Sequence, residues 1–570
     1  MLKNFKWYDY LLIVIILSFI VVQVYFEMEL IDLMAELIGK VQMGQTVKQI
    51  WETGKVMLLT TGLIMCSIII SNTLAGFVSA KFARNLRSNI FRKVNSFSQE
   101  QINKFSTASL ITRSTNDVTQ VQNTIQMALR MMVLAPTMAI FSIVRVVNSS
   151  MELTWVTAGC VLALFAIFSC VFIFVVPAFS KMQKNTDKIN LVARENLTGL
   201  RVIRAYNTEE LQENKFNEVN SSLSNLHYYT GKVFSLMNPL MNIVFNALSL
   251  TIYWLGAHLI NTGSLVYPDL VAFTHYGMHI LMSFMFLSAV IVMLPRGIVS
   301  AKRINEVLKT ETNIVEGTFD GNTEIKGRLE FKNVSFRYPN AEMNILEDIN
   351  FVVNKGETIA FIGSTGSGKS TLVNLIPRFF DATFGEILID GVNIKEYTKE
   401  ALNNKIGFVP QKGMLFSGTV EENIRYGAED ISIDDINKCL KIAQANFVNK
   451  LEGGLQYEIA QGGTNVSGGQ RQRLCIARAI AKSPEIYVFD DSFSALDYKT
   501  DKTLRKALTK HTKDATKVIV AQRVGTIMDA DKIVVLDNGR MVGVGTHKEL
   551  LESCEVYKEI ALSQLSKEEL

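Results

Sequence analysis

Cysteine is scarce in this chain and follows no pattern. The six residues, Cys66, Cys160, Cys170, Cys439, Cys475 and Cys554, form no CxxC pair and stand at no ligand-like spacing from histidine. They read as small buried hydrophobes in a reducing compartment, and no zinc site is expected. Charge is also sparse. Only 20% of the residues are charged and the formal net charge is +4, which leaves out the strongly basic face that a nucleic-acid partner requires. A cleavage signal is missing as well. The first apolar stretch, Tyr8 to Phe26, runs without an A-x-A-like site into Glu27, Glu29 and Asp32, so it is expected to remain as a membrane helix.

Apolar residues are abundant. They fill 48% of the 570 positions, and the mean hydropathy is +0.20, a balance seldom met in soluble globular proteins. Six stretches, near residues 9–33, 56–80, 127–148, 153–178, 232–260 and 268–295, are mostly apolar over the roughly 20 residues that cross a bilayer. The third and fourth are joined by a few residues around Asn148 to Leu153, which predicts a tight hairpin. Glu27, Glu29, Asp32 and Glu36 fall at the outer end of the first span, and Arg130 and Arg145 near the ends of the third. Helix one is expected to continue beyond the bilayer, and the arginines to snorkel. A contact of the acidic cluster with a cationic substrate or an outer gate is the functional alternative.

Basic residues set the orientation. Lys81, Arg84, Arg87, Arg92, Lys93, Lys104 and Arg113 lie between spans two and three, and Lys181, Lys184, Lys188, Arg194, Arg201, Arg204 and Lys215 between spans four and five. Loops rich in Lys and Arg stay in the cytoplasm. This predicts a multi-pass protein of the cytoplasmic membrane with both long loops and both termini inside, in contact with the lipid bilayer. Both loops keep helical periodicity, and at about 1.5 Å per residue their arms reach tens of ångströms from the membrane.

After Arg303 the pattern changes. Thr310 to Gly327 is polar, contains Gly317, Gly321 and Gly327, and reads as a linker; an alternating strand pattern begins at Leu329. Domain boundaries are therefore expected at 1–309, 310–327 and 328–570. The stretch Gly363-Ser364-Thr365-Gly366-Ser367-Gly368-Lys369-Ser370 follows a strand-like run, Thr358 to Ile362, and precedes a helix opening at Thr371. Glycines at this spacing let backbone N–H groups approach phosphates, and the helix N-terminus adds a positive dipole. Lys369 is placed to reach the β- and γ-phosphates, and the Ser370 hydroxyl to bind Mg²⁺. Downstream, the apolar run Ile486 to Phe489 ends in Asp490 and Asp491; Asp490 is placed to hold Mg²⁺. Ser467-Gly468-Gly469-Gln470-Arg471-Gln472-Arg473 offers further N–H donors at a helix start.

This last stretch, lying between the Gly-rich loop and the acidic strand, resembles the signature of ABC transporters, with Val466 in a place usually held by leucine. The stretches Phe105 to Val118 and Glu195 to Tyr206 resemble the intracellular loops of ABC exporters, whose short coupling helices touch the nucleotide-binding domains. The resemblance implies an all-α six-helix transmembrane domain plus an α/β P-loop NTPase nucleotide-binding domain, an ABC half-transporter with ATP and Mg²⁺ as cofactors. It also implies that Tyr338 stacks on adenine, that Gln411 contacts Mg²⁺, that Ser467 to Gln470 bind the γ-phosphate of ATP held on a partner, and that the loop Ser494 to Asp497 crosses the dimer interface.

Two positions depart from that resemblance. Asp491 stands where the family has a glutamate that polarises the attacking water, and Gln522 where it has a histidine contacting the γ-phosphate. Glutamine donates a hydrogen bond but carries no imidazolium charge. The combination is similar to the degenerate half of heterodimeric multidrug exporters, which implies a second, different half-transporter and a hydrophobic small-molecule substrate. Met278, Met282, Met285 and Phe286 suit adaptable apolar walls. A lipid or peptide exporter and an ATP-gated channel or regulatory membrane protein are the alternatives.

Overall fold

The computed structural model describes residues 7–339 and 341–565. The chain divides into two compact units: Met1–Asn95 with Ala108–Lys309, and Ser96–Thr107 with Thr310–Leu570. The two chain termini, expected on the cytoplasmic side, lie outside the described residues.

The first unit is helical. Its elements are α1 (Trp7–Gln42) and α2 (Val47–Asn95), then, after α3 (Gln99–Phe105) of the second unit, α4 (Thr107–Ser114), α5 (Asn116–Ser149), α6 (Met151–Tyr206), α7 (Glu209–Asn261) and α8 (Tyr267–Lys309). Six candidate membrane spans result: Trp7–Gln42, Val47–Asn95, Thr107–Ser149, Met151–Val175, Glu209–Asn261 and Tyr267–Lys309. Ser150 alone separates α5 from α6, the tight hairpin that the sequence predicts. The helices run well past the apolar stretches because the basic loop segments keep helical periodicity. Ile16, Ile20 and Val24 of α1 meet Ala75 and Val78 of α2 and Leu134 and Met138 of α5 in one apolar cluster.

Two expectations about this unit change. Cys439, Cys475 and Cys554, in the second unit, are buried, but Cys66 and Cys170 are exposed on α2 and α6. A membrane helix has an apolar outer face, so lipid accepts a thiol there. Arg145 does not simply snorkel. Its guanidinium lies 2.8 Å from the Asp32 carboxylate and 3.9 Å from that of Glu29, and Asp32 also accepts the Tyr276 hydroxyl. Pairing lowers the cost of a charge at membrane depth more than extension alone. Glu27 accepts a hydrogen bond from Gln23 at 2.9 Å and lines a cavity of about 650 Å³ with Trp51, His275 and His279.

The second unit is α/β. In chain order it holds β1 (Leu329–Phe336), β2 (Leu346–Val353), β3 (Thr358–Gly363), α9 (Lys369–Leu375), β4 (Phe384–Ile389), β5 (Val392–Asn393), α10 (Lys399–Lys405), β6 (Ile406–Val409), β7 (Gly418–Thr419), α11 (Val420–Arg425), α12 (Ile433–Ile442), β8 (Glu458–Ile459) and α13 (Gly468–Ala481). β9 (Ile486–Asp490), α14 (Tyr498–His511), β10 (Thr516–Val520), α15 (Val524–Ile527), β11 (Lys532–Asp537), β12 (Arg540–Gly545), α16 (His547–Ser553) and α17 (Glu555–Gln564) complete it. The central sheet has the order β12-β11-β3-β10-β9-β6. Its pairs are parallel except β11 with β12. Every residue of β9 and β10 is buried, as central strands covered on both faces require. A smaller antiparallel sheet, β2-β1-β4-β5, lies beside it. Residues 310–327 hold no helix or strand, only an isolated bridge between Phe319 and Tyr397.

Candidate active site

The Gly-rich loop joins the end of β3 to α9, so its backbone N–H groups gather at a helix N-terminus. Glycine is required at two points. A Cβ on Gly363 (φ +157) would stand 2.0 Å from the Leu536 carbonyl oxygen, and one on Gly368 (φ +96) 2.7 Å from Leu346 Cδ2. Gly366, by contrast, has nothing within 4 Å of its Cβ direction. The loop is thus anchored at both ends and uncovered at its crest, as an approaching phosphate chain needs. Lys369 curls beneath it: Nζ donates to the Gly363 and Ser364 carbonyls at 2.8 and 2.6 Å and to Ser367 Oγ at 3.3 Å. Burial holds its ammonium below the usual lysine range, while the Asp491 and Asp490 carboxylates oppose that shift.

The acidic strand completes the site. Ser370 Oγ donates to Asp490 Oδ1 at 2.9 Å. The two side chains expected to share Mg²⁺ therefore face one another, and a hydroxyl, a carboxylate and the amide oxygen of Gln411 make an all-oxygen donor set that suits this ion. Tyr338 is held edge-on by Phe336 and Phe380, with ring centroids at 4.8 and 5.4 Å. Its hydroxyl lies 3.1 Å from Thr371 Oγ1 at the start of α9. That fixes an aromatic ring beside the loop, a platform for a flat base.

Asp491 is 6% exposed and adopts φ +47, a left-handed conformation that is uncommon outside glycine. Gln522 Nε2 donates to its Oδ2 at 2.8 Å and Gln411 Nε2 to the same oxygen at 3.3 Å. Burial raises the carboxyl above the usual range, and the bonds from Gln411 and the nearby Lys369 and Arg523 pull it back. Asp490 is raised mainly by burial too, with Ser370 opposing.

The signature residues form a second group. Ser467 caps α13, its hydroxyl accepting from Gln470 N–H at 3.2 Å while Gln470 Oε1 accepts from Ser467 N–H at 2.9 Å. Gly468 is exposed. A Cβ on Gly469 would lie 3.1 Å from the Ala495 carbonyl oxygen, so the signature turn abuts the loop that ends in Asp497. Asp497 caps α14 by accepting from Thr500 N–H at 2.9 Å. Among the described residues no hydrogen bond joins Ser467 to Gln470 directly to the Gly-rich loop.

One residue of the signature stretch carries a role that the sequence does not give it. Gln472 is buried on α13; its Oε1 accepts from Gly413 N–H at 3.0 Å and its Nε2 donates to the Pro410 carbonyl at 3.0 Å. It clamps the loop that carries Gln411 to the signature helix. Between Arg471 and Arg473 nothing in the sequence singled it out except its place on the helical face that leads inward.

Comparison with known proteins agrees with this arrangement. Residues 11–285 match the family described as ABC transporter transmembrane region, and residues 346–494 the family ABC transporter. An uncharacterized ABC transporter ATP-binding protein of Mycobacterium tuberculosis is 40% identical over 90% of this chain and 88% of its own length. An ATP-dependent lipid A-core flippase of Pseudomonas fluorescens is 33% identical over 83% of this chain and 79% of its own. A solved bacterial Atm1-family ABC exporter with ATP bound has the same fold, with a TM-score of 0.81, 22% identity and 98% of each chain covered.

Proposed function

Since this chain belongs to the ABC transporter family, with the family's transmembrane region and ATP-binding domain fused in one polypeptide, we propose that it is the half of a heterodimeric exporter that binds ATP firmly and hydrolyses it slowly. The family's ATP-binding domain implies ATP hydrolysis coupled to transport across a membrane. The observation that carries the finer reading is the carboxylate of Asp491, one methylene shorter than glutamate and tethered by Gln522 at 2.8 Å. A water-polarising group displaced by about 1 Å loses about 100-fold in rate, and Gln522 brings no charge to a γ-phosphate.

The phosphate-holding parts remain complete. The loop crest admits the triphosphate, Lys369 supplies the cation, and Tyr338 the base platform. Mg²⁺, when bound, neutralises charge between the phosphates; Ser370, Asp490 and Gln411 are the residues that would hold it. The signature group Ser467 to Gln470 is nearly intact, with Val466 before it in place of leucine and Gly468 exposed, and on this reading it serves ATP held on a second half-transporter. ATP held between two such domains drives conformational change only through its greater affinity for the closed pair.

The cargo on this reading is a hydrophobic or amphipathic small molecule, supported by the Met- and Phe-rich α8. The lipid A-core flippases among the relatives favour a lipid as the second reading. Purification of this chain alone tests the assignment. Slow ATP turnover that rises when a complementary half-transporter is added supports it; vigorous ATPase activity of the chain as a homodimer overturns it. Flipping of a fluorescent phospholipid in proteoliposomes, set against efflux of a cationic dye, separates the two cargo readings.

A further inference from the structure

Between α14 and one face of the central sheet lies a cleft of about 790 Å³, inside the range of about 300–1,000 Å³ common to small-molecule sites. Its floor is apolar, formed by Phe489, Phe493, Leu508 and Ile519. Its rim is basic. Lys502, Lys506 and Lys510 repeat every four residues along α14, and Lys513 follows just beyond its end. All four are exposed. Arg505, also at the cleft, is already paired with Asp501 at 3.0 Å. Asp529 and Asp531 are the acidic groups at the cleft, and Asp531 Oδ2 accepts the Thr358 N–H at 2.7 Å.

A lysine row on an exposed helix is ordinarily a solvated face. Lys517 makes this one different. It sits within β10, where every residue is buried, and it is itself 4% exposed while lining the cleft. Its Nζ makes one hydrogen bond among the described residues, to the Ala515 carbonyl at 3.2 Å. A buried ammonium with a single neutral partner is costly. Burial pushes it below the usual lysine range, and Asp531 only partly opposes this. An anion gains most from such a cation because little water screens the pair.

We propose that this cleft binds an amphipathic organic phosphate, its apolar ring or chain over Phe489 and Phe493 and its phosphate on Lys517 and the α14 lysines. Several ammonium groups along one rim suit a head of more than one negative charge. The site is distinct from the phosphate cradle yet shares its strands. Lys517 pairs with Thr358 at the start of β3; β3 ends at Gly363 in the cradle, and β10 leads to Gln522. At about 3.3 Å per residue, roughly 17 Å of strand separates Lys517 from Gln522. The proposal rests on the geometry of the ATP-binding domain and is independent of the cargo and of the rate of hydrolysis.

The test uses the full chain in phosphatidylcholine nanodiscs, saturated with Mg-ATP so that the cradle is filled, and titrates 1-naphthyl phosphate by calorimetry. One saturable site is expected. Lys517→Met, which keeps an unbranched side chain one atom shorter and removes the charge, weakens it about tenfold or more, the scale of one charge-assisted hydrogen bond. Paired Lys506→Glu and Lys510→Glu substitutions on the exposed rim weaken it without touching the core, and they decide the matter if Lys517→Met does not fold. ATP affinity stays at the native value in each folded variant. Equal affinity for uncharged 1-naphthol, equal affinity for inorganic phosphate, absence of binding, or binding that the folded variants leave unchanged overturns the proposal.

Discussion

Asp491 carries its consequence in a single oxygen. Oδ2 receives both Gln522 and Gln411, so the group that would polarise water is instead held by two neutral amides. The shortfall against glutamate is one bond, about 1.5 Å. Replacing Asp491 by Glu and Gln522 by His together is expected to raise the ATPase rate of the purified chain by about 10- to 100-fold, the range that about 1 Å of misplacement spans. Asp491→Glu alone should give less, because Gln522 would still bind the carboxylate. A double variant no faster than the native chain counts against the proposed weakness of this site. The same burial that raises Asp491 also raises Asp490. A raised carboxyl takes up its proton at higher pH than usual, and a protonated Asp490 is a poor Mg²⁺ ligand. Mg-ATP affinity should therefore begin to fall on acidification before the ordinary aspartate range is reached. Calorimetric titration between neutral pH and about pH 5 checks this, and Ser370→Ala, which removes the opposing hydrogen bond, should move the fall to higher pH still.

At the scale of elements, the buried ion pair at the end of α10 ties three segments together. Lys405 Nζ lies 2.6 Å from Asp390 Oδ2 after β4 and 2.9 Å from Glu485 Oε2 before β9. Asp390 also accepts the Arg328 N–H at 2.9 Å and the Thr323 hydroxyl at 3.3 Å, which secures the linker end against the small sheet. The Lys405 side chain is 7% exposed and that of Asp390 0%. Lys405→Met would leave the buried Asp390 carboxylate, and the partly exposed Glu485, without their cation, a loss of about 3–5 kcal/mol. Thermal unfolding of the full chain should show the ATP-binding domain melting earlier, with the helical unit's transition unchanged.

At the scale of the whole molecule, a polar cluster ties together three of the long apolar helices. Arg145 of α5, Asp32 of α1 and Tyr276 of α8 meet in it. Three helices distant in sequence are joined by one cluster. Arg145→Gln and Asp32→Asn are each expected to lower the melting temperature of the detergent-solubilised protein. The double substitution should cost less than the sum, since each single change strands the other charge. Strict additivity in that double-mutant cycle would show that the contact contributes nothing.

The parts visible in sequence are those written in contiguous residues. Six long apolar runs announce six spans because bilayer thickness dictates their length. The strand, Gly-rich loop and helix of the candidate site are encoded within the contiguous stretch Thr358 to Leu375. Ser467 likewise determines its own cap. Tertiary structure decided what depends on the order of strands in the sheet, β12-β11-β3-β10-β9-β6, which does not follow the chain. That order brings Gln411 and Gln522, 80 and 31 residues from Asp491, onto one carboxylate oxygen. It also turns Lys517, an ordinary lysine by sequence, into a buried cation at the base of a cleft, and the bundle turns Arg145 from a snorkelling side chain into a partner of Asp32. Local sequence sets backbone geometry and hydropathy; which side chains share a buried volume is settled only when distant elements pack.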